Sequence, residues 1–167
     1  MKYFFLVLVL LLVGREKETI KTQKPLHVKA SQETLYVKIQ NIENELKRIK
    51  TISYLENYIS NIIINGSSNN LGFPAGDMQG GFAYKSDAKD IARFVVTLSH
   101  QKSSDDKRAK KAEIFFSSNC GGCHGQRGKG LHGSFPNLTR KPLLGIEKRK
   151  QALLIQLNSL QSQNTLE

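Results

Sequence analysis

Cys120-Gly121-Gly122-Cys123-His124 contains both cysteines of the chain and decides how the residues around it are read. Cysteines three positions apart at a helix end can each add across one vinyl group of a single haem, and the adjacent imidazole is then held under the iron. This spacing is the signature of c-type haem attachment. Two other chemistries use a Cys-x-x-Cys pair. A zinc site needs further ligands, and without a second cysteine pair His100 or His132 would have to complete it in an unusual arrangement. A thioredoxin-like redox pair belongs in a βαβ context that the surrounding sequence lacks.

Working outward, the segment before the motif carries Ala109, Ala112, Phe115 and Phe116 and predicts a helix from about Asp106 to Ser117. Cys120 to Gly133 reads as a Gly-rich loop, and a last helix is expected from about Glu147 to Asn158. Upstream, Gln101 to Asp106 is a polar joint. Before it, Ser86-Asp87 is the expected cap of a helix that turns Ala88, Ile91, Phe94, Val95 and Leu98 inward. Asn65 to Gly81 is a glycine-punctuated loop. The capping-box spacing of Ser53 and Glu56 opens a helix through Ile59, Ile62 and Ile63, stopped by Asn65-Gly66. Leu35, Ile39, Ile42, Leu46 and Ile49 recur at alternating spacings of four and three, one apolar stripe on a further helix. No segment alternates in the manner of a strand, so the expected fold is all-α.

Around the motif the chain resembles class I cytochromes c, from about Lys107 to Leu143. Ala112 to Asn119 is similar to the family's N-terminal helix, and Gly125-Gln126-Arg127-Gly128-Lys129-Gly130 to its Gly-rich turn. Phe135-Pro136-Asn137-Leu138 resembles its Pro-Asn-Leu segment. The resemblance implies one covalently attached haem c on Cys120 and Cys123, with His124 as axial ligand. It also implies that the Pro136 carbonyl accepts the second imidazole N–H, a bond that fixes the tautomer and raises basicity. The family's second axial ligand is a methionine downstream of the histidine, and no methionine follows His124 here. Met78 lies upstream, where Ile63-Ile64-Asn65-Gly66 and Gly72-Phe73-Pro74-Ala75-Gly76-Asp77-Met78 resemble the family's methionine-ligand loop. The helix from Asp87 to Leu98 is similar to its C-terminal helix.

Residues 32–100 thus read as a degenerate, haem-less cytochrome c-like helical region. Residues 101–167 read as a haem-binding cytochrome c domain, short at its C-terminus. Three accounts stay open: a tandem cytochrome that lost its first haem, a permuted arrangement in which Met78 ligates the haem held by Cys120 and Cys123, or an iron with one open face. His132 and His27 read as exposed, and His100 as a favourable charge at a helix C-terminus.

The remaining features bear on compartment and partners. Lys2 precedes the apolar run Tyr3 to Val13, whose length suits a secretory h-region better than a spanning helix. Leu12-Val13-Gly14-Arg15 resembles a bacterial lipoprotein signal with Arg15 where the lipidated cysteine would stand. Residues 1–14 are therefore a signal peptide or membrane tether, residues 15–31 a polar linker, and the expected location the periplasm or the outer face of the cytoplasmic membrane. The chain of 167 residues is 39% hydrophobic, enough to bury a core, and has no apolar run that would make it a multi-pass membrane protein. Its 25 basic against 14 acidic residues leave a net charge of +11. The clusters Lys107, Arg108, Lys110, Lys111 and Lys148, Arg149, Lys150 suit acidic redox partners or a membrane respiratory complex, and without interleaved aromatics they do not suit nucleic acid. The expected function is an exported monohaem c-type cytochrome that carries electrons between respiratory redox partners and has no catalytic acid or base. The alternatives are a five-coordinate haem protein for gas sensing or peroxide chemistry, or a truncated cytochrome.

Overall fold

The computed structural model describes residues 24–68 and 71–165, with side chains from 32 to 68 and from 71 to 163. The signal or tether and most of the polar linker lie outside these residues. Seven helices make up the described chain: α1 (Lys24–Arg48), α2 (Ile52–Asn65), α3 (Lys85–Leu98), α4 (Asp106–Lys111), α5 (Glu113–Asn119), α6 (Gly121–His124) and α7 (Leu144–Thr165). Among the described residues there is no strand, and the fold is all-α. No helix among them is long and apolar enough to cross a membrane.

Several boundaries differ from those expected. α1 begins at Lys24, inside the stretch read as linker, because Pro25 in a first turn removes an N–H that the helix does not use and presets φ. The N-cap of α2 is Thr51, whose hydroxyl accepts from Tyr54 N–H at 3.2 Å, so Ser53 and Glu56 form no capping box. Tyr84, not Ser86-Asp87, precedes α3, and no side chain caps it. The single helix expected over 106–117 is broken at Ala112, whose N–H is shared between the carbonyls of Arg108 and Ala109. The supposed loop from Cys120 opens with the helical turn α6, and α7 runs well beyond both expected ends.

α3 is the centre of the molecule. It packs against α2 on one side and α4 and α5 on the other. Its Ala88, Ile91 and Ala92 are fully buried, as is Phe116 of α5. Phe94 and Phe116 meet with ring centroids 5.2 Å apart, a tilted pair favourable beyond the area that it buries. The same core takes Leu55, Ile59 and Ile63 from α2 and Leu143, Ile146 and Leu153 from the C-terminal part, so it is continuous across the polar joint at residues 101–105. α1 pairs with α7. The sequence stripe on α1 is half-buried along its length and ends at fully packed Ile49, while α7 buries Ile146 and Leu153. Arg149 hydrogen-bonds both carboxylate oxygens of Glu45 at 2.8 Å and holds that carboxyl below its ordinary range.

A buried polar seam fastens the joint. Glu56, 4% exposed in the middle of α2, accepts the Ser104 N–H at 2.8 Å and the Ser104 hydroxyl at 2.6 Å. Arg93 lies 4.0 Å from the same carboxylate and donates to the Ser104 hydroxyl. Arg93 and Arg108 both engage Asp90. A carboxylate out of water is tolerated only with such partners, and truncating one member leaves the others unpaired. We expect Glu56→Ala to cost about 3 kcal/mol of unfolding free energy and Glu56→Gln about half of that, read by urea denaturation. Equal, sub-kilocalorie losses in both variants would show that the seam does not hold the joint.

Candidate functional site

The Cys-x-x-Cys-His segment folds as one compact turn. Cys120 closes α5 through its N–H to the Phe116 carbonyl, and Cys123 and His124 both donate back to the Cys120 carbonyl, at 3.2 and 2.9 Å. The chain then loops out and returns under the histidine. Gly130 N–H donates to the His124 carbonyl at 2.8 Å, and Leu138 N–H to the Gly128 carbonyl at 2.7 Å. Gly130 is required here: its φ is +78°, and a Cβ would overlap the Phe135 carbonyl. This folding-back brings the Pro136 carbonyl to 3.2 Å from His124 Nδ1.

A carbonyl can only accept, so the bond puts the proton on Nδ1 and leaves the Nε2 lone pair free. His124 is 8% exposed, and its burial lowers its pKa while the Pro136 carbonyl works against that. Burial favours the neutral imidazole and the Pro136 bond fixes its tautomer, together the form that binds a metal. The Phe135 ring stands edge-on to the imidazole, with centroids 6.2 Å apart.

The two thiols are free and differ sharply. Cys120 is buried, and desolvation, with a smaller contribution from Cys123, pushes its pKa up to about 11. Cys123 is exposed.

Met78 comes from the loop between α2 and α3, and that loop is pinned to the end of α2. Met78 N–H donates to the Ser67 hydroxyl at 2.9 Å, and Ser67 N–H donates to the Met78 carbonyl at 2.8 Å. Gly66 makes the approach feasible. Its φ is +85°, and a Cβ there would come within 2.7 Å of the Met78 carbonyl oxygen. Gly81 N–H adds bonds to the carbonyls of Ile63 and Ile64. From the other direction, Ala75 N–H reaches the Ser134 carbonyl at 3.3 Å, so the loop also touches the segment that returns under His124.

Cys120, Cys123, His124, Pro136 and Met78 all line one cavity of about 280 Å³. Its walls are largely apolar, with Ile59, Ile62 and Ile63 from α2, Ile91 and Val95 from α3 and Phe116 from α5. Exposed Phe82 and Cys123 contribute to its rim. The donors and surroundings fit a haem: two thiols at attachment spacing, a neutral imidazole, a thioether, and a lining that would exclude water from a flat apolar macrocycle. The remaining histidines do not join them. His100 and His132 are exposed with φ of 57° and 50°, and the side chain of His27 lies outside the described residues. Among the described residues, no group of three or more His, Cys, Asp or Glu could hold a metal ion. Sequence reasoning missed Ser67, whose bonds to Met78 span a loop and leave no local spacing signal.

No protein-family model matches the chain, and no solved structure matches it significantly. Among curated proteins, the cbb3-type cytochrome c oxidase subunit FixP of Azorhizobium caulinodans is 39% identical to it over 51 residues. That stretch is 30% of this chain and 17% of FixP, so the chain spans less than a fifth of that relative's length. The similarity is partial, and it is to a subunit of a cytochrome c oxidase.

The contrast between the thiols is directly testable. In the haem-free chain at pH 8, iodoacetamide should label Cys123 at least about tenfold faster than Cys120, read by peptide mass spectrometry. Equal rates would show that Cys120 is not enclosed by the core.

Proposed function

We propose that the protein is an exported monohaem c-type cytochrome that passes electrons between respiratory partners on the outer side of the cytoplasmic membrane. One haem c is attached through Cys120 and Cys123, with His124 and Met78 as its axial ligands. The observation that carries this reading is the single cavity to which the Cys-x-x-Cys-His turn and the Met78 loop both contribute. When bound, the haem supplies a one-electron ferric/ferrous couple.

The chain's own residues set the conditions for that couple. His124 offers Nε2 because Pro136 holds Nδ1–H. The thioether of Met78 is a soft ligand that favours the ferrous state and raises the potential. The aliphatic walls keep water away, which acts in the same direction. Lys107, Lys110 and Lys111 are exposed on α4 and suit an acidic partner, whereas Arg108 is engaged by Asp90 at 2.9 Å. Partial similarity to an oxidase subunit supports a partner within a membrane respiratory complex.

In this reading the boundary near residue 100 is a mark of ancestry. A tandem cytochrome whose first half lost its thiols leaves one ligand set drawn from both sides of the joint, Met78 before it and the Cys120–His124 turn after it. The order of the pieces is permuted relative to the family.

The test is an absorption spectrum of the chain exported in a haem-attaching host, with and without Met78→Ala. We expect a weak far-red ferric band from an iron–thioether bond in the parent, and its complete loss in the variant with the covalent haem retained. A high-spin ferric spectrum unchanged by the substitution would leave one face of the iron open and replace electron transfer with gas binding or peroxide chemistry.

A further inference from the structure

The ligand loop of a cytochrome must hold its sulfur in place while the metal changes charge, and the structure shows where this loop is fastened. Its anchor is the residue just past the end of α2. Ser67 makes a two-point clamp on Met78: its hydroxyl accepts the Met78 N–H at 2.9 Å and its own N–H donates to the Met78 carbonyl at 2.8 Å. The hydroxyl hydrogen donates to Asp77 Oδ1 at 3.2 Å, which orients the oxygen lone pairs toward the Met78 amide. Both peptide groups flanking the Met78 Cα are thereby tied to one residue. Gly66, immediately before Ser67, is the position whose missing Cβ lets the Met78 carbonyl come so close.

We infer that Ser67 is a positioning residue for axial ligation, which holds the Met78 thioether at the iron against competing ligands. This rests on the proposal that Met78 ligates the haem. The Ser67 hydroxyl acts through the Met78 backbone. Removing it leaves the Met78 N–H in a half-buried loop without its acceptor, and the loop then yields more readily to an external ligand.

The experiment titrates the ferric, haem-loaded protein with imidazole and follows loss of the far-red band in the parent, Ser67→Ala, Ser67→Thr and Leu153→Ala. Amide hydrogen exchange of Met78 is measured on the same samples. Ser67→Ala should bind imidazole about tenfold more tightly and exchange the Met78 amide about tenfold faster than the parent. Ser67→Thr, which keeps the hydroxyl, should restore both values. Leu153→Ala weakens the core through α7, away from the loop and the cavity lining, and should leave imidazole affinity unchanged, which separates positioning from general stability.

A Ser67→Ala protein with the parent's affinity and exchange rate would remove the role of Ser67 and leave Met78 as ligand. So would an equal gain in affinity from Leu153→Ala. A parent without the far-red band would overturn the ligation itself, and the role of Ser67 with it.

Discussion

The contact between α3 and α5 is the constraint on which the rest of the structure depends. Phe94 and Phe116 meet there, and Ile91, Ala92 and Phe116 are fully enclosed. α3 carries on one side the loop that brings Met78, through its packing on α2. On its other side it positions α5, which ends directly in Cys120. Without this packing the Met78 loop and the Cys120–His124 turn would share no cavity. The bonds from Ser104 to buried Glu56 serve the same register from the polar side, since they fix where the chain crosses from α3 to α4. A non-directional apolar contact supplies the driving force, and a directional carboxylate selects a single alignment.

Much of this was legible in the residues, for reasons that differ from place to place. The Leu35 to Ile49 stripe, the inward face of α3 and the Cys-x-x-Cys-His turn depend on local spacing, and local spacing is what a sequence displays. The Glu56 reading failed because the same residue pattern that makes a capping box also places a carboxylate on a buried helix face, and only the partner at Ser104 distinguishes them. The helical start at Lys24 was obscured by the polar composition around Pro25. Splitting of the fourth helix at Ala112 has no marker in the sequence, because neither proline nor glycine stands there.

The site divides in the same way. Cys120, Cys123 and His124 announce themselves as a contiguous motif. Pro136 was identified through the family resemblance, and the structure adds the reason that it is near: the chain doubles back at Gly130, where no Cβ fits. Met78 was visible as an isolated methionine in a suggestive loop, with its relation to the motif left open. That relation depends on helices packing across a polar joint, information of long sequence separation that no window along the chain contains.

The burial of Cys120 also has a consequence for biogenesis. The order of the chain runs against the order in which the pieces must be used. A chain made from its N-terminus delivers the Met78 loop and the α2–α3 pair first and the thiols later. Yet Cys120 finishes inside the same core as Ile91 and Phe116, where its thiol remains protonated well above neutral pH. Any covalent attachment to it therefore has to precede closure of a core whose first half is already waiting. Under the proposed haem attachment, maturation is a race between that reaction and docking of the two halves.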